Sequence, residues 1–90
     1  MRMIDRSTAF KRDYKRNKHN KNLDSLLSNI LKALTADKPL PVNNRDHSLS
    51  GNWQGYRECH VKPDLLLIYK KIDENILWLA RLGSHSELFD

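Results

Sequence analysis

Glycine, proline and cysteine are all scarce in this 90-residue chain, at three, three and one. The scattered Gly51, Gly55 and Gly83 form no glycine-rich loop able to cradle a nucleotide phosphate, and no paired-histidine helix motif or calcium-binding loop is present. The single Cys59 excludes an internal disulfide and a cysteine-based zinc site, and it fits a reducing compartment. Its neighbour is His60, so a thiolate–imidazole pair is one reading; a half-buried strand cysteine is the simpler one. Long apolar runs are also missing. Leu65 to Tyr69 spans five residues, where a membrane helix needs about 20. The basic start of the chain is followed by no apolar signal segment, so the protein is expected to stay in the cytoplasm. A chain of this length supports one compact core, and residues 1–90 are expected to form one domain. Any active site then lies on an open face, which suits a large extended substrate better than a small enclosed one.

Charge is what the chain has in excess. Lys and Arg number 16 against 11 Asp and Glu, a formal net charge of +5. The excess is confined to one half: residues 1–46 hold 11 basic and 5 acidic side chains, residues 47–90 hold 5 and 6. Such a balance favours a polyanionic partner, whether nucleic acid, an acidic protein or an anionic membrane surface. A solvated helix face gives the same pattern without any partner.

The elements follow from periodicity. Met1 to Asp5 reads as a short edge strand. Ser7 or Thr8 can cap a helix starting near Ala9, with Phe10 and Tyr14 on one face and Lys11, Arg12, Lys15, Arg16 and Lys18 over much of the rest. After the polar break at His19–Asn22, Asn22 can cap a second helix. Its Leu23, Leu26, Leu27, Ile30, Leu31 and Leu34 recur at three- and four-residue spacing, and it ends near Ala36, before Pro39 and Pro41. Val42 to Gly55 reads as a long loop holding His47 and Trp53. Strands are predicted over Tyr56–Val61, Leu65–Ile72 and Ile76–Leu82, with turns at 62–64 and 73–75, and Gly83 to Phe89 closing the chain. The fold class is α+β: two N-terminal helices, joined as an antiparallel hairpin, packed on a twisted antiparallel sheet.

His47, His60, Asp64, Arg81 and His85 all fall in the second half, on or beside that sheet. Alternation puts Tyr56, Glu58 and His60 on one face and Arg57, Cys59 and Val61 on the other, and groups Arg81 with Leu77 and Leu79. Each candidate has a plain structural alternative: His60 as a surface strand residue, Arg81 as an ion-pair partner of Asp64, His85 as a turn residue. The three histidines have the residue type for zinc, but they are spread over a loop, a strand and a strand end. The chemistry that fits the set is RNA transesterification. A base takes the proton of the ribose 2′-OH, an acid protonates the leaving 5′-oxygen, and arginine's fork of donors holds the phosphate. No metal or cofactor is required. Lys11, Arg12, Lys15 and Arg16 would bind the RNA backbone, and Phe89 or Trp53 would stack on bases.

The segment Asp46-His47-Ser48-Leu49-Ser50-Gly51-Asn52-Trp53-Gln54-Gly55-Tyr56-Arg57-Glu58-Cys59-His60-Val61-Lys62-Pro63-Asp64 resembles the central signature of the YafQ-type toxins of the RelE superfamily. The ending Arg81-Leu82-Gly83-Ser84-His85-Ser86-Glu87-Leu88-Phe89 is similar to that family's C-terminal motif. The resemblance implies a type II toxin–antitoxin toxin that cleaves mRNA, commonly on the ribosome, and is neutralised by a cognate antitoxin encoded beside it. It also implies functional positions at His47, His60, Asp64, Arg81, His85 and Phe89. His85 would be the acid or the acid–base residue overall, His60 and Asp64 would activate or orient the 2′-OH, and Arg81 would stabilise the phosphate. Where some relatives carry tryptophan after the Pro63-Asp64 pair, this chain has Leu65, and a stacking or packing contact there would be lost.

Two other functions fit parts of the pattern. A superfamily toxin that acts by binding a protein such as DNA gyrase would not need the His60 and His85 motifs. A non-catalytic nucleic-acid-binding module would need only the basic helix.

Overall fold

The computed structural model describes residues 1–89. The order is β1 (Met3–Arg6), α1 (Thr8–Asn17), α2 (Leu23–Thr35), β2 (His47–Ser48), β3 (Arg57–Lys62), β4 (Leu65–Ile72), β5 (Ile76–Gly83) and α3 (His85–Phe89). Single 3₁₀ turns lie at Val42–Asn44 and Gly51–Trp53. The α+β class and the packing of the N-terminal helices on a sheet are as the sequence predicts. The five strands run β1-β5-β4-β3-β2. β2 to β5 are antiparallel neighbours, while β1 joins parallel to β5, Met3 opposite Ile76 and Arg6 opposite Leu79.

β4 carries the longest apolar run because it is buried on both faces. Leu65, Leu67 and Tyr69 meet the helices, in a core with Phe10, Leu23, Leu27, Ile30, Leu34, Cys59, Val61, Leu77, Leu79 and Leu82. Leu66 and Ile68 face the other way, against Ala80 and Leu88, with the half-buried Leu49, Trp53, Tyr56 and Trp78 around them. The loop before β3 and the short α3 therefore cover the second face.

Local chemistry sets the helix starts. Ser7 caps α1, its hydroxyl accepting from the Phe10 amide at 2.8 Å while donating to the Ala80 carbonyl at 2.7 Å, so one side chain starts the helix and ties it to β5. The inner face of α1 buries Phe10, Asp13 and Asn17, so two of its three buried anchors are polar. Asn22 precedes α2 as expected but makes no side-chain cap. It holds a left-handed backbone, φ 63°, which asparagine tolerates and the sharp turn between the helices uses.

Two bulges re-aim strand residues. The pairing passes from Ile68–Arg81 to Tyr69–Leu79, leaving Ala80 as an extra residue in β5. Arg81 therefore does not share a face with Leu77 and Leu79 as simple alternation predicts, but takes the face of its partner Ile68. A second shift between His60 and Lys62 leaves Val61 unpaired against β4. β3 starts at Arg57 rather than Tyr56, and the last residues form a helix rather than a simple ending.

The central position of β4 gives a direct test. Leu67→Ala, at a fully buried site, should lower unfolding free energy by about 2–5 kcal/mol. Ile72→Ala, at the exposed end of the same strand, should change it by less than about 1 kcal/mol. Urea unfolding of the two variants checks this, and equal losses would contradict the two-sided burial.

Candidate active site

One row of paired residues crosses the sheet: Arg81 on β5, Ile68 on β4, Glu58 on β3 and His47 on β2. Partners across a ladder project to the same face, so these side chains share the face away from the helices. His60 lies two residues from Glu58 and on the same side. The predicted face for Glu58 and His60 holds, and Cys59 and Val61 are buried on the other.

The Glu58 side chain is only 4% exposed and is the focus of one half of the site. Its Oε1 is 3.5 Å from His47 Nε2 and 3.7 Å from His60 Nε2. Both rings have their Nδ1 beside a backbone carbonyl, His47 with Arg45 at 2.6 Å and His60 with Pro63 at 3.2 Å. A carbonyl accepts only, so each Nδ1 is assigned as N–H and each Nε2 is the nitrogen free to take or give a proton. Local backbone fixes these contacts. Arg45 turns the chain in a left-handed conformation, φ 49°, just before β2, and the Asn44 side chain donates to the His60 carbonyl at 2.7 Å.

The other half is built from the β3–β4 turn and α3. Asp64 Oδ1 accepts from the His85 backbone amide at 3.3 Å and is 3.7 Å from His85 Nδ1. The His85 ring centroid lies 6.1 Å from that of His60 and 5.8 Å from that of Phe89, one helical turn later. The two halves thus meet at the His60–His85 pair. α3 is short, but a capping box secures its start: the Glu87 carboxylate accepts from the Ser84 amide at 2.9 Å, and the Ser84 hydroxyl accepts from the Glu87 amide at 3.2 Å. Arg16 Nη1 of α1 adds a contact to Glu87 at 3.2 Å.

The structure brings His47, His60, Asp64, His85 and Phe89 into one contiguous surface. It gives Arg81 a different partner from the one considered: not Asp64 but the buried Asp13 of α1, at 2.7 Å. The basic helix divides in function. Lys11, Arg12 and Lys15 are exposed, whereas Arg16 bridges Asp13 and Glu87. Glu58 and Asp13 were not singled out from sequence. The Glu58–His60 spacing on one strand face was the available signal for the first, and the Phe10–Asp13–Asn17 inner stripe for the second.

The remaining residues considered from the sequence take the following places. Cys59 is fully buried on the helix side, away from His60, and burial pushes its thiol up to about 12, so it is no nucleophile. Among the described residues no group of three His, Cys, Asp or Glu side chains is arranged to hold a metal ion, and no helix is long and apolar enough to cross a membrane. Trp53 packs edge-on against Tyr56, ring centroids 5.2 Å apart, as a loop anchor. Leu65 is 4% exposed in the helix-side core, so the position after Asp64 is one of packing here. Two hollows flank the histidines. One of about 690 Å³ is lined by Asn44, Arg45, His60 and Pro63, and one of about 300 Å³ by Leu49, Trp53, Leu88 and Phe89.

The capping box makes a pH prediction. The Ser84 amide, followed by Arg16, holds the Glu87 carboxyl below the ordinary glutamate value of 4.5. A depressed folded value means that this anchoring is complete above 4.5 and is lost as pH falls through the lower value. The Ser84 amide resonance should titrate below 4.5 in the wild type and stay flat over that range in Glu87→Gln. A midpoint at or above 4.5 would remove the claim.

Comparison with known proteins points one way. Residues 2–90 match a family profile described as the bacterial toxin of type II toxin–antitoxin systems, YafQ. The chain is similar to the mRNA interferase toxin YafQ of Escherichia coli K12, 38% identical over 89 residues, covering 98% of this chain and 96% of that protein. Its structure is similar to that of a metal-bound toxin from Helicobacter pylori, with a TM-score of 0.90 and 46% identity over 99% of this chain and 100% of that one. It is also similar to a chain of the E. coli DinJ–YafQ complex, with a TM-score of 0.87 and 36% identity over the whole of both chains.

Proposed function

The chain belongs to the YafQ family of bacterial type II toxin–antitoxin toxins, and from that premise we propose that it is an endoribonuclease that cleaves mRNA with side chains alone. One observation carries the proposal: two imidazoles 6.1 Å apart on an open face, each with a carboxylate near it, Glu58 for His60 and Asp64 for His85. That is the equipment for one proton to leave and another to arrive across a single phosphate.

His60, with Glu58 ready to stabilise its imidazolium, takes the proton of the ribose 2′-OH. The 2′-oxygen attacks the adjacent phosphorus, the bond from phosphorus to the 5′-oxygen breaks, and His85 as imidazolium protonates that oxygen. The products are a 2′,3′-cyclic phosphate and a 5′-hydroxyl end. Asp64 orients His85, as a carboxylate behind a catalytic histidine does. Arg81 stabilises the charge that develops on the phosphate oxygens, and His47 supports Glu58 from the far side. Phe89, beside the smaller hollow, provides a stacking face for a base. Lys11, Arg12, Lys15 and Arg16 hold the backbone or ribosomal RNA through salt-sensitive contacts.

The relative from E. coli is named an mRNA interferase, which supports the substrate. A toxin of this family has a cognate antitoxin, and the net charge of +5 favours an acidic one. mRNA on the ribosome is the proposed target and the cytoplasm the proposed location, with residues 1–90 acting as one domain.

Inducible expression in bacteria, with growth followed and mRNA 5′ ends mapped, tests this reading. Wild type should stop growth and create new 5′-hydroxyl ends. His85→Ala and His60→Ala should each cut cleavage by about 10²–10⁴-fold while remaining folded. Equal toxicity of all three proteins with intact mRNA would sink the nuclease reading and move a protein target such as gyrase to first place.

A further inference from the structure

Arg81 is an arginine with one edge already occupied. Its Nε donates to Asp13 Oδ2 at 2.7 Å and its Nη2 to Asp13 Oδ1 at 3.2 Å, a side-on fork that fixes the guanidinium plane. Asp13 is itself 2% exposed, and Oδ2 accepts a second bond from the Leu82 amide at 3.0 Å. That amide is available because β1 ends opposite Leu79 and leaves the edge of β5 uncovered beyond it. The carboxylate thus stands where a neighbouring strand would be. Arg16 Nη2 approaches Oδ1 at 3.5 Å. Among the described residues nothing accepts from Arg81 Nη1, and the Arg81 side chain keeps 27% exposure.

We propose that Asp13 is the positioning residue for Arg81: it holds the Nε edge of the guanidinium so that the remaining N–H donors are presented as a fixed group to the scissile phosphate. This rests on the nuclease reading above. The β5 bulge is the other half of the device, because it turns Arg81 to the face that carries Glu58, two strand spacings or roughly 10 Å away, and His47 one strand beyond it. An unheld arginine would still carry charge, but it would have to be ordered during the reaction. A donor already ordered stabilises the transition state without that cost. Asp13 reaches no substrate itself.

Asp13→Asn is close to isosteric but cannot serve all three donors. Its amide nitrogen must face either Arg81 Nη2 or the Nε and Leu82 N–H pair. The experiment measures single-turnover cleavage of ribosome-bound mRNA and, separately, binding to the programmed ribosome, for wild type, Asp13→Asn, Arg81→Ala and the double variant, with thermal melting as a fold check. Expected are unchanged binding, a cleavage rate lowered ~10-fold or more in Asp13→Asn, and a double variant no slower than Arg81→Ala, since the two residues act as one unit. If Asp13→Asn does not fold, Arg81→Lys carries the test: it keeps the charge and the acidic partner but loses the fork, and should show the same rate loss. A full rate in a folded Asp13→Asn, a full rate in Arg81→Lys, or additive losses in the double variant would overturn the proposal. A wild type that leaves mRNA intact overturns the nuclease reading instead, an outcome recognised from the unmutated protein alone.

Discussion

Two-sided burial of β4 is the constraint from which the rest follows. Leu65 to Tyr69 is solid apolar sequence in the middle of the sheet, so both faces must be covered. Two helices supply one cover. Among the described residues there is no further long helix for the other, and the fold uses the loop of residues 49–56 and the five-residue α3. That cover is partial. The candidate residues lie beside it on the same face, on β2 and β3, in the β3–β4 turn and on α3 itself. Apolar packing by Leu88 seats the helix that carries His85 and Phe89.

A polar layer then sets orientation where packing alone would not. His47 and His60 are each held by a backbone carbonyl, His85 by Asp64, Arg81 by Asp13, and α3 by Ser84, Glu87 and Arg16. Side chains on an exposed face have rotamer freedom that a reaction would otherwise have to remove. His47, His60 and Arg81 each have one nitrogen or one edge hydrogen-bonded to the scaffold and another left over, while the His85 ring has Asp64 3.7 Å from its Nδ1. Sequence-distant elements supply the restraints, which is why α1, remote from the histidines in the chain, bears on the site.

Much of this was readable in the sequence, and the limits have physical causes. α2 and the three long strands declare themselves through periodicity. The family motif named His47, His60, Asp64, Arg81, His85 and Phe89, and the structure brings five of these into one surface, with Arg81 on the same face. Pairings were less legible. Alternation assigns Arg81 to the wrong face because a one-residue bulge at Ala80 leaves no mark in a run of β-prone residues. Asp13 looks like one more charge on a basic helix until β1 is seen to stop short and expose the Leu82 amide. The direction of β1 likewise depends on a crossover through two helices, not on its own four residues. α3 is too short for periodicity to reveal, although its Ser84-x-x-Glu87 capping box was present to be read.

The placement of Cys59 has a consequence outside catalysis. The only thiol lies under the helices at the centre of β3, fully buried and with its acidity suppressed. Thiolate is the form that oxidants and alkylating agents attack, so burial shields Cys59 from them in the folded chain. The same burial makes the residue a reporter. A maleimide can reach Cys59 only when the core opens, so its labelling rate reports those openings without an engineered cysteine.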